Sequence, residues 1–417
     1  MASKDHGREY DLVVFGATGY TGKYTAQYIT THLPSTLKWA VAGRSESKLS
    51  ALVTELSTLN PDRIPPSIEL GTLTASSLSA LAQKTFILLT TVGPYGALGE
   101  HAFAACATHG THYLDVTGEV PFVAKMLTKY SSTAAKTGAL MFPQIGIESA
   151  PPDLLTWSLA RFNRATYSLP TADVTVSVHT LKSAPSGGTL ATVFTILDNF
   201  SLAELHASHV PYALSPVPRP AAAPPKPSLW TRLTGLVNIP GLGLLTTSLA
   251  GSTDAAQVQR TWGLLSSVPS RKEQGYGPNF SFREYMRPRN WLTGVAIHFG
   301  LMVLGLVMAT PWLRRVVAKR VYQPGEGPEA EAAKWDEIEY RGVGRADGKE
   351  GGALGRAWFL GSTYYLTGIL LAEAAATLLQ EDVDLPGGVY TPACLGQPFI
   401  DRLDRAGFHI EVKPLEP

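Results

Sequence analysis

Short apolar runs alternate along the first third of the chain with glycine turns and stretches of helical spacing. Asp11 to Phe15 (DLVVF) is apolar and ends in Gly16-Ala17-Thr18-Gly19-Tyr20-Thr21-Gly22. The segment that follows, KYTAQYITTHL, repeats its apolar residues at helical spacing. A buried strand, a glycine turn and a helix predict the opening of a βαβ unit. Lys38 to Ala42 (KWAVA), Thr85 to Thr91 (TFILLTT), Tyr113 to Val116 and Ala139 to Ile145 read as further strands, and Glu100 to His109 as a helix. The alternation predicts an α/β chain with a Rossmann-type dinucleotide-binding domain over residues 1–153.

The pattern changes after that point. Residues 154–380 are expected to form a second, α+β domain, and 381–417 a short helix and final strand packing back near the first domain. Within 205–228, Pro211, Pro216, Pro218, Pro220, Pro224, Pro225 and Pro227 block helix and sheet pairing, which predicts a surface loop. Trp358 to Leu371 with Ala374 to Leu379 reads as a strand and a packed core helix. The apolar segment from Trp291 to Leu313 holds 23 residues without Asp, Glu, Lys or Arg. Its length suffices to cross a ~30 Å hydrocarbon core. Trp291, Trp312 and the cations Arg287, Arg289, Arg314, Arg315, Lys319 and Arg320 resemble interfacial anchors. Three readings stay open: contact with a membrane or lipid droplet through an interfacial helix or hairpin, a buried core helix, and an oligomer interface.

Composition narrows the classes. The 417 residues carry 35 Lys plus Arg against 34 Asp plus Glu, a net charge of +1, which argues against nucleic acid as a partner. Charged residues make up 17%, below the usual ~25%, so part of the chain avoids water. Two cysteines, Cys106 and Cys394, exclude a disulfide framework and a four-thiolate zinc site. His109 and His112 find no carboxylate or thiol to complete a metal set, so no metal is expected. The polar N-terminus, Met1 to Tyr10, reads as neither a secretory signal nor a transit peptide, and a location on the cytoplasmic side, with membrane or lipid-droplet association left open, is the expectation.

The candidate chemistry begins at the glycine loop. Gly16 allows the tight turn, Gly19 a close approach to a pyrophosphate, and Gly22 close packing of helix on strand. The helix N-terminus offers N–H groups and positive dipole to the phosphates, with Ala17, Thr18, Tyr20 and Thr21 lining the loop. The second strand ends in Gly43-Arg44-Ser45, where an NAD site usually carries Asp or Glu. Arg44 and Ser45 suit a 2′-phosphate instead, so NADP(H) is expected; the alternative is a solvated loop charge. Val92, Gly93 and Pro94 are expected beside the nicotinamide. Tyr95 follows them, either as hydrogen-bond donor or acid, or as packing for the turn. Glu119 reads either as an acid or ribose ligand, or as a helix N-terminal charge. Ser186, before Gly187, Gly188 and Thr189, reads either as an oxyanion or phosphate holder, or as a helix cap. Cys106 lies in an apolar helix and reads as packing.

Several motifs then fall in order: GATGYTG (16–22), AGRS (42–45), VGPYG (92–96), AC with THYLDVTGE (105–119), GIESAPPD (146–153), SGGT (186–189), PGEGP (324–328) and GVYTPACLG (388–396). Together they resemble the saccharopine dehydrogenase-like oxidoreductases, most of all the subfamily that includes trans-acting enoyl reductases. The resemblance implies a Rossmann domain, an α+β second domain and a nicotinamide cofactor. It also implies an apolar insertion near 291–313 and lipid-associated relatives. It does not imply saccharopine as substrate, because the motif loops carry few cations for that diacid. The family's loop after the sixth strand usually reads like GFDSIPSD, and Glu148 and Ala150 depart from it here. The resulting expectation is an NADPH-dependent reductase of a carbon–carbon double bond in an acyl or polyketide-type apolar substrate, delivered by a polyketide or fatty-acid synthase. Reduction of a ketone or imine, or a lipid-associated nucleotide-binding protein without turnover, are the alternatives.

Overall fold

The computed structural model describes residues 4–183, 185, 187–221, 227–318, 333–348 and 351–415. Six strands, β1 (Tyr10–Phe15), β2 (Trp39–Gly43), β3 (Ser67–Leu70), β4 (Thr85–Thr90), β5 (His112–Asp115) and β6 (Leu140–Phe142), alternate with helices. Then come β7 (Thr171–Lys182), β8 (Val237–Ile239), β9 (Gly243–Thr247), β10 (Ser281–Met286), β11 (Glu337–Ala346) and β12 (Gly352–Leu360), and finally β13 (Gly388–Val389) and β14 (His409–Pro414). They form two seven-stranded sheets. The first runs β13-β6-β5-β4-β1-β2-β3 and all its pairs are parallel. The second runs β14-β12-β11-β7-β10-β9-β8, with β7 and β10 parallel and the other pairs antiparallel. This is a Rossmann-type sheet with a mixed second sheet, an α/β architecture.

Burial on both faces explains the unbroken apolar reading of the first strands, since β1 and β2 are buried at every position. The helix Ala150–Tyr167 begins at the end of the first unit and lies across β11 and β12 of the second. Its close approach requires glycine beneath it. A Cβ on Gly342 would lie 2.8 Å from Leu159, and one on Gly355 2.8 Å from Leu155.

The carboxyl-terminal third is shared between the sheets. The helix Thr363–Gln380, inside the stretch 154–380, packs on the helix Tyr20–His32, and Tyr28 donates to Glu373 at 2.8 Å. The tail 381–417 divides, with β13 extending the first sheet and β14 edging the second. The proline-rich stretch starts inside the helix Leu202–Ser208, continues as turns to 221, and ends where Ser228 caps the helix Leu229–Thr234; residues 222–226 lie outside the described ones.

The uncharged segment is two helices, not one. Trp291–Ala309 starts at an Asn290–Thr293 capping box, and Thr310 is extended before the helix Pro311–Ala318. Pro311 lacks an N–H and drives its predecessor out of the helical region. The buried residues of the first helix, Gly294, His298 and Met308, fall on one face at 3.6 residues per turn. Its first two turns pack on β9, where Thr246 donates to the Gly294 carbonyl and Thr247 is hydrogen-bonded to His298, both at 2.8 Å. Gly294, His298 and Met308 are its only buried residues, which excludes a core helix of this chain.

Candidate active site

The glycine loop sits where β1 gives way to the helix Tyr20–His32, next to the point where the strand order reverses between β1 and β4. Gly16 has φ +89°, and its carbonyl accepts from the Gly19 N–H at 2.9 Å, which closes the turn. A Cβ on Gly22 would lie 2.2 Å from the Gly16 carbonyl oxygen and 2.9 Å from the Ala17 Cα. No side chain caps the helix, so its first-turn N–H groups are open to an anion. Thr91, just after β4, donates to the Gly16 carbonyl at 3.2 Å and ties the two loops together. Ala17 is buried, Thr18 is exposed at the tip, and Thr21 and Tyr20 are half-buried, the Tyr20 ring meeting Tyr364 edge-on.

At the end of β2, Arg44 is exposed and Ser45 caps the helix Glu46–Leu59 by accepting from the Lys48 N–H. Residues 43–45 at that strand end include no acid; the first one, Glu46, opens the helix and is exposed. The loop and the Arg44 corner therefore fit a dinucleotide carrying a 2′-phosphate. Arg44→Asp is expected to weaken NADPH binding roughly 10- to 100-fold, the worth of a charge-assisted hydrogen bond. NADH binding should change far less. Fluorescence titration of both nucleotides checks this, and an equal loss of both would refute the contact.

Val92, Gly93 and Pro94 are half-buried just beyond the carboxyl end of β4. Tyr95 is placed otherwise than a proton donor requires. Its ring is buried against Phe122, and its hydroxyl donates to the Thr90 carbonyl at 2.8 Å. Burial, then the nearby Asp115 charge, pushes its pKa far up. Glu119 is fully buried and takes the Tyr95 and Gly96 N–H groups at 2.6 and 2.9 Å. It clamps the short helix Tyr95–Leu98 at its N-terminus, so its carboxylate is spent on backbone rather than on a ribose. Burial raises the Glu119 pKa while those two N–H groups pull it down. Tyr95 and Glu119 thus hold the β4 loop in shape. Ser186 lies outside the described residues.

Two further buried acids lie nearby, Asp115 at the end of β5 and Asp153 in the first turn of the helix Ala150–Tyr167. Asp115 closes β5: it accepts from the Thr117 and Gln144 N–H groups at 2.9 Å each and from the Tyr113 hydroxyl at 2.8 Å. Burial lifts its pKa to about 6 against those bonds. Asp153 accepts from Thr261 at 2.6 Å and from the Ala393 N–H at 3.0 Å, joining three segments far apart in sequence. Burial lifts it to about 7. Cys106 is buried and its thiol is pushed far up by desolvation, as packing demands. Among the described residues no group of His, Cys, Asp or Glu converges as a metal site.

A parallel sheet with this cradle is the framework of a dinucleotide-binding domain. The model of the saccharopine dehydrogenase NADP binding domain matches residues 12–141. A putative trans-acting enoyl reductase of Mycobacterium tuberculosis is 30% identical over 434 aligned positions, covering 98% of this chain and 98% of that one. A trans-acting enoyl reductase of Mycobacterium bovis is 30% identical over 422, covering 96% and 97%. The chain belongs to this saccharopine dehydrogenase-like family, beside its trans-acting enoyl reductases. It is an NADP(H)-binding oxidoreductase. Apo saccharopine dehydrogenase (L-Glu forming) from Saccharomyces cerevisiae shares the fold, with a TM-score of 0.52 at 12% identity over 97% of this chain and 99% of that one.

Proposed function

We propose that the protein reduces the carbon–carbon double bond of an apolar acyl or polyketide-type thioester, delivered by a polyketide or fatty-acid synthase, while resting on a lipid surface of the cytoplasmic side. The observation that carries the reaction is the match, over nearly the whole of both chains, to relatives named trans-acting enoyl reductases. Bound NADPH supplies the hydride. The chain's own part is orientation: the glycine loop and helix N-terminus hold the phosphates, Arg44 the 2′-phosphate, and the loop clamped by Glu119 walls the nicotinamide side.

Lipid contact rests on the exposed face of the helix Trp291–Ala309. Phe299, Met302, Val303 and Leu306 all point to solvent, with Trp291 and Trp312 exposed at the two ends. The short helix Leu229–Thr234 packs alongside and adds exposed Leu229, Trp230 and Leu233. Arg232, Arg287, Arg289 and Arg315 are exposed around this patch, which complements anionic headgroups. The helix is held at its first two turns, where Gly294 and His298 meet β9, and again at Met308, which supports a helix lying in the surface rather than one that crosses.

NADPH oxidation is expected with a 2-enoyl-CoA thioester, with saturated acyl product, and not with ketone or imine probes. Turnover of a ketone or imine alone would replace this reading.

A further inference from the structure

One corner of the second sheet gathers hydrogen-bond donors that have nothing to donate to. The helix Ala150–Tyr167 covers one face of β7, β11 and β12, passing over Gly342 and Gly355. Side chains alternate along a strand, so the adjacent Arg341 and Arg356 stand on the opposite face. There Ser177, Arg341 and Arg356 lie side by side across β7, β11 and β12. A bulge follows: Val178 lies opposite Tyr340 and Thr180 opposite Glu339, which leaves His179 as an extra residue on β7. Bulges re-aim side chains, and the His179 ring meets Arg287, the residue after β10.

The bonds made here decide which atoms are left over. Arg287 Nη1 lies 2.5 Å from His179 Nε2, and a guanidinium can only donate, so that ring nitrogen accepts. Burial, then the Arg341 and Arg287 charges, lowers the His179 pKa to about 4, so the neutral ring carries its proton on Nδ1. Glu339 takes the Arg341 Nε–H at 2.6 Å and an Arg356 Nη2–H at 3.0 Å. The Arg356 guanidinium is held 4.2 Å from the centre of the Trp358 ring. Three groups remain shielded from water and without a partner: the Ser177 hydroxyl, His179 Nδ1–H and Arg356 Nε–H. Ser177 is fully buried. All three can donate, and the histidine and arginine groups can do nothing else. The Arg341 and Arg356 side chains still reach solvent, at 41% and 42% exposure. Charge points the same way. Arg287, Arg341 and Arg356 face Glu339 and Glu411, the latter opposite Arg356 on β14 with no ion pair among the described residues, while Lys182 and Glu337 pair with each other.

We propose that this corner is a phosphate-binding seat, in which Ser177, His179 and Arg356 donate to the phosphate oxygens and Arg287 and Arg341 balance their charge. Donors left without an acceptor are costly, and an anion satisfies all three at once. They come from two strands and a bulge, an arrangement that a tetrahedral phosphate meets better than a planar carboxylate. Phosphates of this kind come from lipid headgroups and from coenzyme A. The long apolar helix starts at Trp291, four residues past Arg287, so the seat adjoins the exposed apolar patch and a headgroup is the source its position favours. That choice of source rests on the lipid contact put forward under Proposed function; the seat itself does not.

The test uses the full chain saturated with NADPH, so that the cofactor cradle's own phosphate contacts are taken. Binding is measured to phosphatidylcholine vesicles carrying phosphatidic acid, to vesicles given the same surface charge by oleate, and to coenzyme A and inorganic phosphate in solution. The wild type is expected to prefer phosphatidic acid to oleate by roughly tenfold, the worth of a charge-assisted hydrogen bond. Arg356→Gln should erase that preference and keep its NADPH affinity. Ser177→Ala should weaken the preference and hold or raise the melting temperature, because it removes a buried hydroxyl that has no partner. Tight binding of coenzyme A that Arg356→Gln abolishes, with no preference between vesicles, would support the seat and overturn the headgroup as its source. No preference for any phosphate over carboxylate, an equal preference in wild type and both variants, or a marked loss of stability in Ser177→Ala would overturn the seat.

Discussion

Gly22→Ala is expected to weaken NADPH binding by about two orders of magnitude while the protein remains folded. The added Cβ would lie 2.2 Å from the Gly16 carbonyl oxygen and 2.9 Å from the Ala17 Cα, both backbone, so turning the Thr91 side chain 2.8 Å away would not make room. The helix must lift off β1 by a fraction of an ångström to a full one. Overpacking of this kind costs typically 1–3 kcal/mol, and at the upper end that is roughly a hundredfold in affinity. The same movement carries the helix N-terminus away from the phosphates, so the loss falls on binding. Fluorescence titration with NADPH, with circular dichroism as the check on folding, measures it. Wild-type affinity in a folded Gly22→Ala protein would mean that the phosphates sit elsewhere.

The second large effect is expected at the apolar patch. Changing Phe299, Met302, Val303 and Leu306 together to Ser should abolish binding to vesicles containing anionic phospholipid and leave the melting temperature nearly unchanged. These four side chains are exposed, so the folded chain loses little by their removal. A lipid surface loses about 1 kcal/mol for each, even at well under full burial, or roughly 4 kcal/mol in all. That is about three orders of magnitude in partitioning. Raising the salt should weaken wild-type binding as well, because the surrounding arginines act through a screened interaction. Vesicle co-sedimentation reads both effects. A variant that still binds vesicles, or that changes only from dimer to monomer, would show the patch to be covered by something other than lipid.

The first sheet was legible because each of its cues is local. Strand, glycine turn and helix lie within twenty-odd residues of one another, and the acid-free corner at Gly43-Arg44-Ser45 follows directly from β2. β13 was not legible: it is two residues long and reaches the sheet from far along the chain. Tyr95 and Glu119 each stand out in the sequence, but their partnership does not. The direction of the Tyr95 hydroxyl depends on Glu119 gripping its backbone, a contact between residues 24 apart that no spacing announces. The partners of Asp153 carried no signal at all, since Thr261 and Ala393 reach it from 108 and 240 residues away. Along the uncharged segment the absence of charge was read correctly, whereas the break at Thr310 was hidden behind continuous hydrophobicity; Pro311 was its one mark.

The central claim is that this family member moves hydride from NADPH to the carbon–carbon double bond of an acyl thioester. The most direct measurement uses NADPH carrying deuterium at the nicotinamide C4 with a 2-enoyl-CoA, and locates the label in the product by mass spectrometry and NMR. The account predicts one deuterium at the β-carbon of the saturated thioester and a solvent-derived hydrogen at the α-carbon. Tight NADPH binding with no deuterium in the acyl chain would contradict it.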